Sequence, residues 1–332
     1  MSDAAVVMKG VRKTFGDKVA VDDLNLVVPR GVVCGFIGPN GAGKTTTIRM
    51  IMSILFPDQG EIGVLGKRSA MESRDLIGYL PEERGLYRKM KVAVFLGYIA
   101  RLKGLDGGPA DAKVKQWLER VSLGDSARKK CEELSKGMQQ KVQFIASVIH
   151  EPELIILDEV FSGLDPVNRR LMRELIEEQH GAGRTIIFST HAMFEAEQLC
   201  EQVFMIHNGR KMLDGSLREI TAQFNPRSLI VETMNPDDAP QLSSVPGVAR
   251  VSTGSQRGAS RGVVEVSVDE ASQPARVMSE IVNRIDVRRI EIKRVTLEDV
   301  FLEVVRRAGG GDIDPALLAR SSSGSSESGG ES

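Results

Sequence analysis

The run Gly38-Pro39-Asn40-Gly41-Ala42-Gly43-Lys44-Thr45 fits the pattern Gly-x4-Gly-Lys-[Ser/Thr], and its flanks constrain the fold more than anything else in the chain. Ahead of it, Val32-Val33-Cys34-Gly35-Phe36-Ile37 is short and apolar enough for a buried parallel strand. Behind it, Thr46-Thr47-Ile48-Arg49-Met50-Ile51-Met52 carries helical spacing. Strand, glycine loop and helix in that order form a phosphate nest. Glycine allows close backbone approach, so N–H groups converge where a helix begins. Gly38 to Thr46 are therefore candidate nucleotide contacts, with Lys44 on the β- and γ-phosphates and the Thr45 hydroxyl on Mg²⁺.

A chain of 332 residues with 41% hydrophobic content is long enough for one dominant domain and one small one. A formal net charge of −1 gives no general pull toward nucleic acid or anionic lipid, so any membrane association is expected through a protein partner. Apolar runs stay well short of the roughly 18 residues of a spanning helix, and Met1-Ser2-Asp3-Ala4-Ala5 lacks the basic start of a signal peptide. A cytosolic location is expected. Cys34, Cys131 and Cys200 are scattered and odd in number, which fits buried thiols better than a zinc site or a disulfide framework.

Strand patterns around Phe15-Gly16-Asp17 predict a small β unit over residues 6–30, and Glu61-Ile62-Gly63-Val64-Leu65-Gly66 predicts another short strand. Helical signals dominate about residues 90–150, where Trp117, Leu118, Val121 and Leu123 share one side and Trp117 reads as core. Buried-strand runs return at Leu154-Ile155-Ile156-Leu157, Thr185-Ile186-Ile187-Phe188 and Gln202-Val203-Phe204-Met205-Ile206, with a helix near 166–180: a βαβ rhythm with a helical insertion. From about residue 225 short strands precede helices near 273–284 and Leu297 to Val305, predicting a separate α+β domain. Residues 308–332, mostly Gly and Ser, predict a disordered tail.

The strand at 154–157 ends in Asp158-Glu159, at the edge where open α/β sheets hold ligands. Two acids there also describe a plain solvated strand end. Beside a phosphate loop, Asp158 suits the Mg²⁺ shell, directly or through water, and Glu159 suits polarising the water that attacks a γ-phosphate.

Together with Leu134-Ser135-Lys136-Gly137-Met138-Gln139-Gln140, Ser162-Gly163-Leu164-Asp165 and Ser189-Thr190-His191, in that order, the chain resembles the ATP-binding subunits of ABC transporters over about residues 5–215. The resemblance implies an α/β P-loop NTPase over residues 1–220: a RecA-like core, a helical subdomain at about 83–150 and an N-terminal antiparallel β subdomain. A small C-terminal α+β domain at 225–307 follows. It implies that Ser135 and Gly137 form a signature site reaching the γ-phosphate held by a second ATP-binding subunit, identical or paralogous. It further implies that Asp165 lies in the D-loop, that His191 is the switch histidine and that Phe15 is the adenine-stacking aromatic. Ser135 is independently an apt helix cap, and Phe15 could equally be a buried strand-end residue.

Two positions depart from that pattern. Glu82, in Leu80-Pro81-Glu82-Glu83-Arg84, replaces a glutamine that touches Mg²⁺, and a carboxylate donates no hydrogen bond unless protonated. The signature carries Lys136 and Met138 where Gly and Gln are usual. The run Gly78 to Tyr87 and the small C-terminal domain resemble the sodium- and drug-efflux branch. The expectation is thus an ATPase that drives export through separate integral membrane subunits, peripheral on the inner face of the membrane, with Leu86, Tyr87 and Met90 as docking contacts or subdomain core. A soluble ATPase acting on DNA or ribosomes is the alternative; paired ATPase domains, coiled-coil insertions and zinc cysteines, which mark that class, are missing from the sequence. A regulator without turnover would lack a base such as Glu159.

Overall fold

The computed structural model describes residues 4–83, 85–105, 107–224, 227–253 and 262–307. The tail expected at 308–332 lies outside the described residues. The chain divides into two compact units, one running to Arg218 and resumed at Phe301, the other spanning Glu219–Val300.

The first unit opens with β1 (Ala4–Phe15), β2 (Lys18–Pro29), β3 (Val33–Ile37), α1 (Lys44–Ile51), β4 (Gln59–Val64) and β5 (Ile77–Leu80). Helices α2 (Val92–Leu102), α3 (Gly107–Arg120) and α4 (Lys136–Val148) follow. The unit then alternates β6 (Leu154–Asp158), α5 (Pro166–Gly181), β7 (Thr185–Thr190), α6 (Met193–Leu199), β8 (Gln202–His207) and β9 (Arg210–Ser216).

Strand order in the large sheet is β5-β6-β7-β3-β8-β9, parallel from β5 through β8 and closed by antiparallel β9. Every residue of β3, β6 and β7 is buried, as expected for strands covered on both faces. A second, antiparallel sheet in the order β2-β1-β4 packs its inward residues with those of α1 and β3 in one core, including Leu24, Leu26, Val28, Ile48 and Phe36. In β2 the alternation is direct: Leu24, Leu26 and Val28 are buried while Asn25 and Val27 are exposed. Trp117 sits edge-on to Phe144 with ring centroids 6.4 Å apart, so it is a packing residue of the helical subdomain. Leu118, Val121 and Leu123 are buried beside it in sequence, the last two beyond the end of α3. All three cysteines are buried free thiols.

His150, at the turn between α4 and β6, bonds the Ile77 carbonyl through Nε2 at 3.1 Å, stapling that turn to β5. Burial, reinforced by the Lys103 charge, pushes its imidazole below the ordinary 6.5 to about 4. The folded state therefore binds this proton less readily than the unfolded chain. The stabilisation is complete above about 6.5 and is lost as pH falls toward 4. Urea midpoints measured across that interval should decline, and the His150→Gln variant should decline less steeply; parallel curves would reject this account.

Helix α7 (Leu217–Gln223) carries the chain into the second unit, which contains β10 (Ser228–Thr233), β11 (Val248–Thr253), β12 (Val263–Val268), α8 (Pro274–Arg284) and β13 (Val287–Ile292). Its antiparallel sheet has the order β11-β12-β10-β13. Leu229 and Val231 of β10, Val264 and Val266 of β12, and Val277 and Ile281 of α8 form its core. The boundary falls within the last helix, α9 (Leu297–Arg307). Strands β5, β9 and β11 and helix α7 carry no pattern strong enough to predict from sequence.

Candidate nucleotide site

The loop between β3 and α1 is shaped by its glycines. Gly43 precedes α1 at φ 109°, and a Cβ there would meet the Ala20 carbonyl oxygen at 2.7 Å; a Cβ on Gly38 would run into the Ile206 carbonyl. No side chain caps α1, so its first N–H groups are left for a ligand. The loop borders a cavity of about 340 Å³ lined by Asn40, Gly41, Gly43, Lys44, Thr45, Thr46, Phe15, Lys18, Ala20, Glu82 and Glu159. Pro39 and Ala42 hold the loop's shape through the Ala42 N–H to Pro39 O bond of 3.2 Å. Phe15 is 49% exposed, which decides against a buried strand-end role; Lys13 Nζ lies 5.6 Å from its ring centroid.

Lys44 is 5% exposed, and its Nζ donates to the carbonyls of Gly38 and Pro39 at 2.8 and 3.2 Å. It also pairs with Glu159 Oε1 at 3.4 Å, while Glu159 Oε2 meets His191 Nδ1 at 3.0 Å. Glu159 sits at φ 50°, a left-handed backbone rarely adopted outside glycine, and its N–H is held by the carbonyl and hydroxyl of Ser189, each at 3.2 Å. The acid, the lysine and the histidine thus form one contiguous row.

Asp158 is 1% exposed and lies opposite Ser189 in the β6–β7 register. Its Oδ1 accepts from the Ser189 hydroxyl and, at 3.4 Å, from that of Thr45, but its buried Oδ2 has no partner among the described residues. Burial raises its carboxyl above the ordinary range, and the two hydroxyls pull it partly back. Glu82, exposed at the cavity rim, is also raised, first by partial loss of water and then by the Asp158 and Glu159 charges. A buried acceptor without a donor, a neighbouring hydroxyl and mutually repelling carboxylates are a donor set that suits a hard divalent cation. No group of three or more His, Cys, Asp or Glu among the described residues forms a protein-only metal cage.

Ser135, Gly137 and Asp165 gather elsewhere, and none of them lines the cavity. Ser135 is exposed and caps α4, accepting from the Met138 N–H at 3.4 Å. Asp165 caps α5 through the Asn168 N–H at 2.9 Å, and a Cβ on Gly137 would meet Asn168 Nδ2 at 2.9 Å. The two helix starts therefore abut through Asn168. Buried Gln140 ties α4 to the acid loop by donating to Val160 O at 3.2 Å. Sequence reasoning missed Lys18, Ala20, Asn168 and Ser189. Of these only Ser189 had a signal, being two residues before His191 at a buried strand's end. His180 bonds Gly31 O at 2.9 Å and His207 stacks edge-on to Phe301, both structural contacts.

A strand–glycine loop–helix unit facing an acid pair that ends another parallel strand of the same sheet, with β7 between the two, defines a P-loop nucleotide-binding protein. The family model for ABC transporter matches residues 21–162, and the model for the ATP-binding protein DrrA1-3-like C-terminal domain matches residues 215–305. An uncharacterized ABC transporter ATP-binding protein of Alkalihalophilus pseudofirmus is 41% identical over 82% of this chain and 99% of its own length. The daunorubicin resistance ATP-binding protein DrrA3 of Streptomyces coeruleorubidus is 37% identical over 67% of this chain and 72% of its own. Among solved structures, an ATP-binding subunit of an ABC transporter superposes with a TM-score of 0.62 at 32% identity, covering 66% of this chain and 93% of that one. The chain belongs to the ATP-binding proteins of ABC transporters: it binds nucleotide, hydrolyses ATP and works with membrane permease subunits. Nothing supports the soluble DNA- or ribosome-directed alternative. Among the described residues no helix is long and apolar enough to cross a membrane.

Proposed function

We propose that two ATP-binding subunits trap Mg²⁺-ATP at shared sites, each built from the phosphate loop of one and the Ser135–Gly137 cluster of the other, and that the cycle drives export. The observation that carries this reading is the separation of the two clusters: Ser135 is exposed at a helix start, yet it does not border its own chain's phosphate cavity. A helix start of that kind is an anion site in need of an anion.

Within each site Phe15 stacks on adenine and the loop from Gly38 to Thr46 takes the phosphates. Lys44 exchanges its contacts with the Gly38 and Pro39 carbonyls and Glu159 for the β- and γ-phosphates. Release from Lys44 leaves Glu159 free to accept a proton from the attacking water, with His191 at 3.0 Å holding its other oxygen. Thr45, Asp158 through its unpartnered Oδ2, and Glu82 at the rim are the residues that would hold Mg²⁺. When bound, that ion neutralises charge gathering on the phosphate oxygens. Asp165 positions the start of α5 at the seam.

The name of one relative, a Nod factor export ATP-binding protein of Burkholderia lata that is 36% identical over 65% of this chain, supports export; docking of permeases at the cytoplasmic face of the membrane is part of the same proposal. A groove of about 420 Å³ in the first unit, with Met71, Tyr87, Phe95 and Ile99 on its walls, supports a permease-docking surface. Tyr87 is 54% exposed there, whereas Leu86 borders a different recess.

Mixing tests the shared site. Lys44→Ala and Ser135→Arg chains should each be nearly inactive alone. A mixed pair contains one intact site, so ATPase activity should return on mixing, to about a quarter of the wild-type rate when equal amounts pair at random and sites work independently, and to at most about half for purified mixed pairs. Activity that stays absent, with both variants folded and dimerising, would reject the shared site.

A further inference from the structure

Among the described residues, the most deeply buried acid that the mechanism above leaves unused is Glu195, 2% exposed in the first turn of α6. It pairs with two arginines of α5, Arg173 at 2.9 Å and Arg169 at 3.5 Å. Burying a carboxylate is unfavourable unless it is paired, and a buried pair adds little net stability over an apolar one. What such a pair gives is a fixed geometry, so the elements it joins are informative.

Those elements lead back to the site by two routes. Arg169 also donates to the Leu164 carbonyl at 3.3 Å, within the loop that ends in Asp165. That loop begins at the catalytic acid, with the Ser162 N–H bonded to the Glu159 carbonyl at 3.0 Å. On the other side, the Glu195 N–H bonds Ala192 O at 3.1 Å, and Ala192 follows His191, which meets Glu159. Glu159, the loop, Arg169, Glu195 and His191 therefore close a ring. The Arg169 and Arg173 arms of this one clamp both join α5 to α6.

We propose that Glu195 is a positioning residue: through Arg169 and Arg173 it couples the Ser162–Asp165 loop to His191, so that displacement of the loop at the subunit seam moves the histidine on Glu159. This rests on the roles assigned to Glu159 and His191 above. Ground-state nucleotide binding belongs to the phosphate loop, so the clamp should act on turnover alone.

The test uses the purified full-length chain with Glu195→Gln, Arg169→Met and the double variant, following ATP affinity, KM and kcat. Each single variant should keep ATP affinity and KM within about twofold and lose kcat by roughly 5- to 30-fold, inside the range of couplings carried along a residue network. The double variant should lose no more than the worse single one, because both cut the same ring. Unchanged kcat in a folded Glu195→Gln chain, or losses that multiply in the double variant, would overturn the proposal. If Glu195→Gln does not fold, Arg169→Met decides alone, since that side chain is 44% exposed and its removal leaves Arg173 on Glu195. Glu159→Gln is run in parallel: wild-type turnover there defeats the catalytic assignment itself, whereas an inactive Glu159→Gln beside a fully active Glu195→Gln defeats only the clamp.

Discussion

Glu159→Gln should bind ATP as the wild type does and hydrolyse it about 10²–10⁴ times more slowly, a barrier increase of roughly 3–5 kcal/mol. The substitution keeps the side chain's shape and its reach to His191 at 3.0 Å. It removes the negative charge that accepts the water proton. It also removes the partner of Lys44 at 3.4 Å, which leaves the ammonium freer for phosphate and favours retained or tighter ATP binding. A paired species should accumulate with ATP and be visible by light scattering. Phosphate release at the wild-type rate would exclude Glu159 as the base.

Lys44→Ala acts earlier in the cycle. The side chain is 5% exposed and reaches two loop carbonyls, so its ammonium is already desolvated and aimed into the cavity. Removing a charged hydrogen-bonding partner from a desolvated contact costs roughly 2–5 kcal/mol, a loss of about 30- to 4000-fold in affinity. Titration with a fluorescent ATP analogue reads this directly. Undiminished binding by a folded Lys44→Ala chain would mean that the loop does not hold the phosphates.

The contrast between the two variants follows from what is local and what is not. The phosphate loop was legible because strand, glycines and helix are consecutive, and each residue's task follows from the backbone it belongs to. The acid pair and His191 were legible because each lies just beyond a short apolar run, Leu154–Leu157 or Ile186–Phe188, bounded as a covered parallel strand would be. Ser189 bonding Asp158, Gln140 bonding Val160 and Asn168 joining the two helix starts were not, since each contact exists only after separate strands and helices have been stacked. Edge elements escaped for a related reason. In β9 the residues are exposed or half-buried, so nothing forces a regular alternation on them. Phe15 was open between two readings until its exposure placed it on the cavity wall.

Strands β6 and β7 run side by side with Asp158 opposite Ser189. Side chains alternate along a strand, so a slip of one residue in either would turn the aspartate and serine to opposite faces while leaving the apolar runs able to pack. Insertions and deletions in this stretch thus have unequal fates. A residue added in the turn Gly181-Ala182-Gly183-Arg184 is expected to cost little, whereas one added within the wholly buried Ile186-Ile187-Phe188 is expected to break the Asp158–Ser189 pairing. Tolerance to added length therefore lies at the far end of the sheet, away from the chemistry.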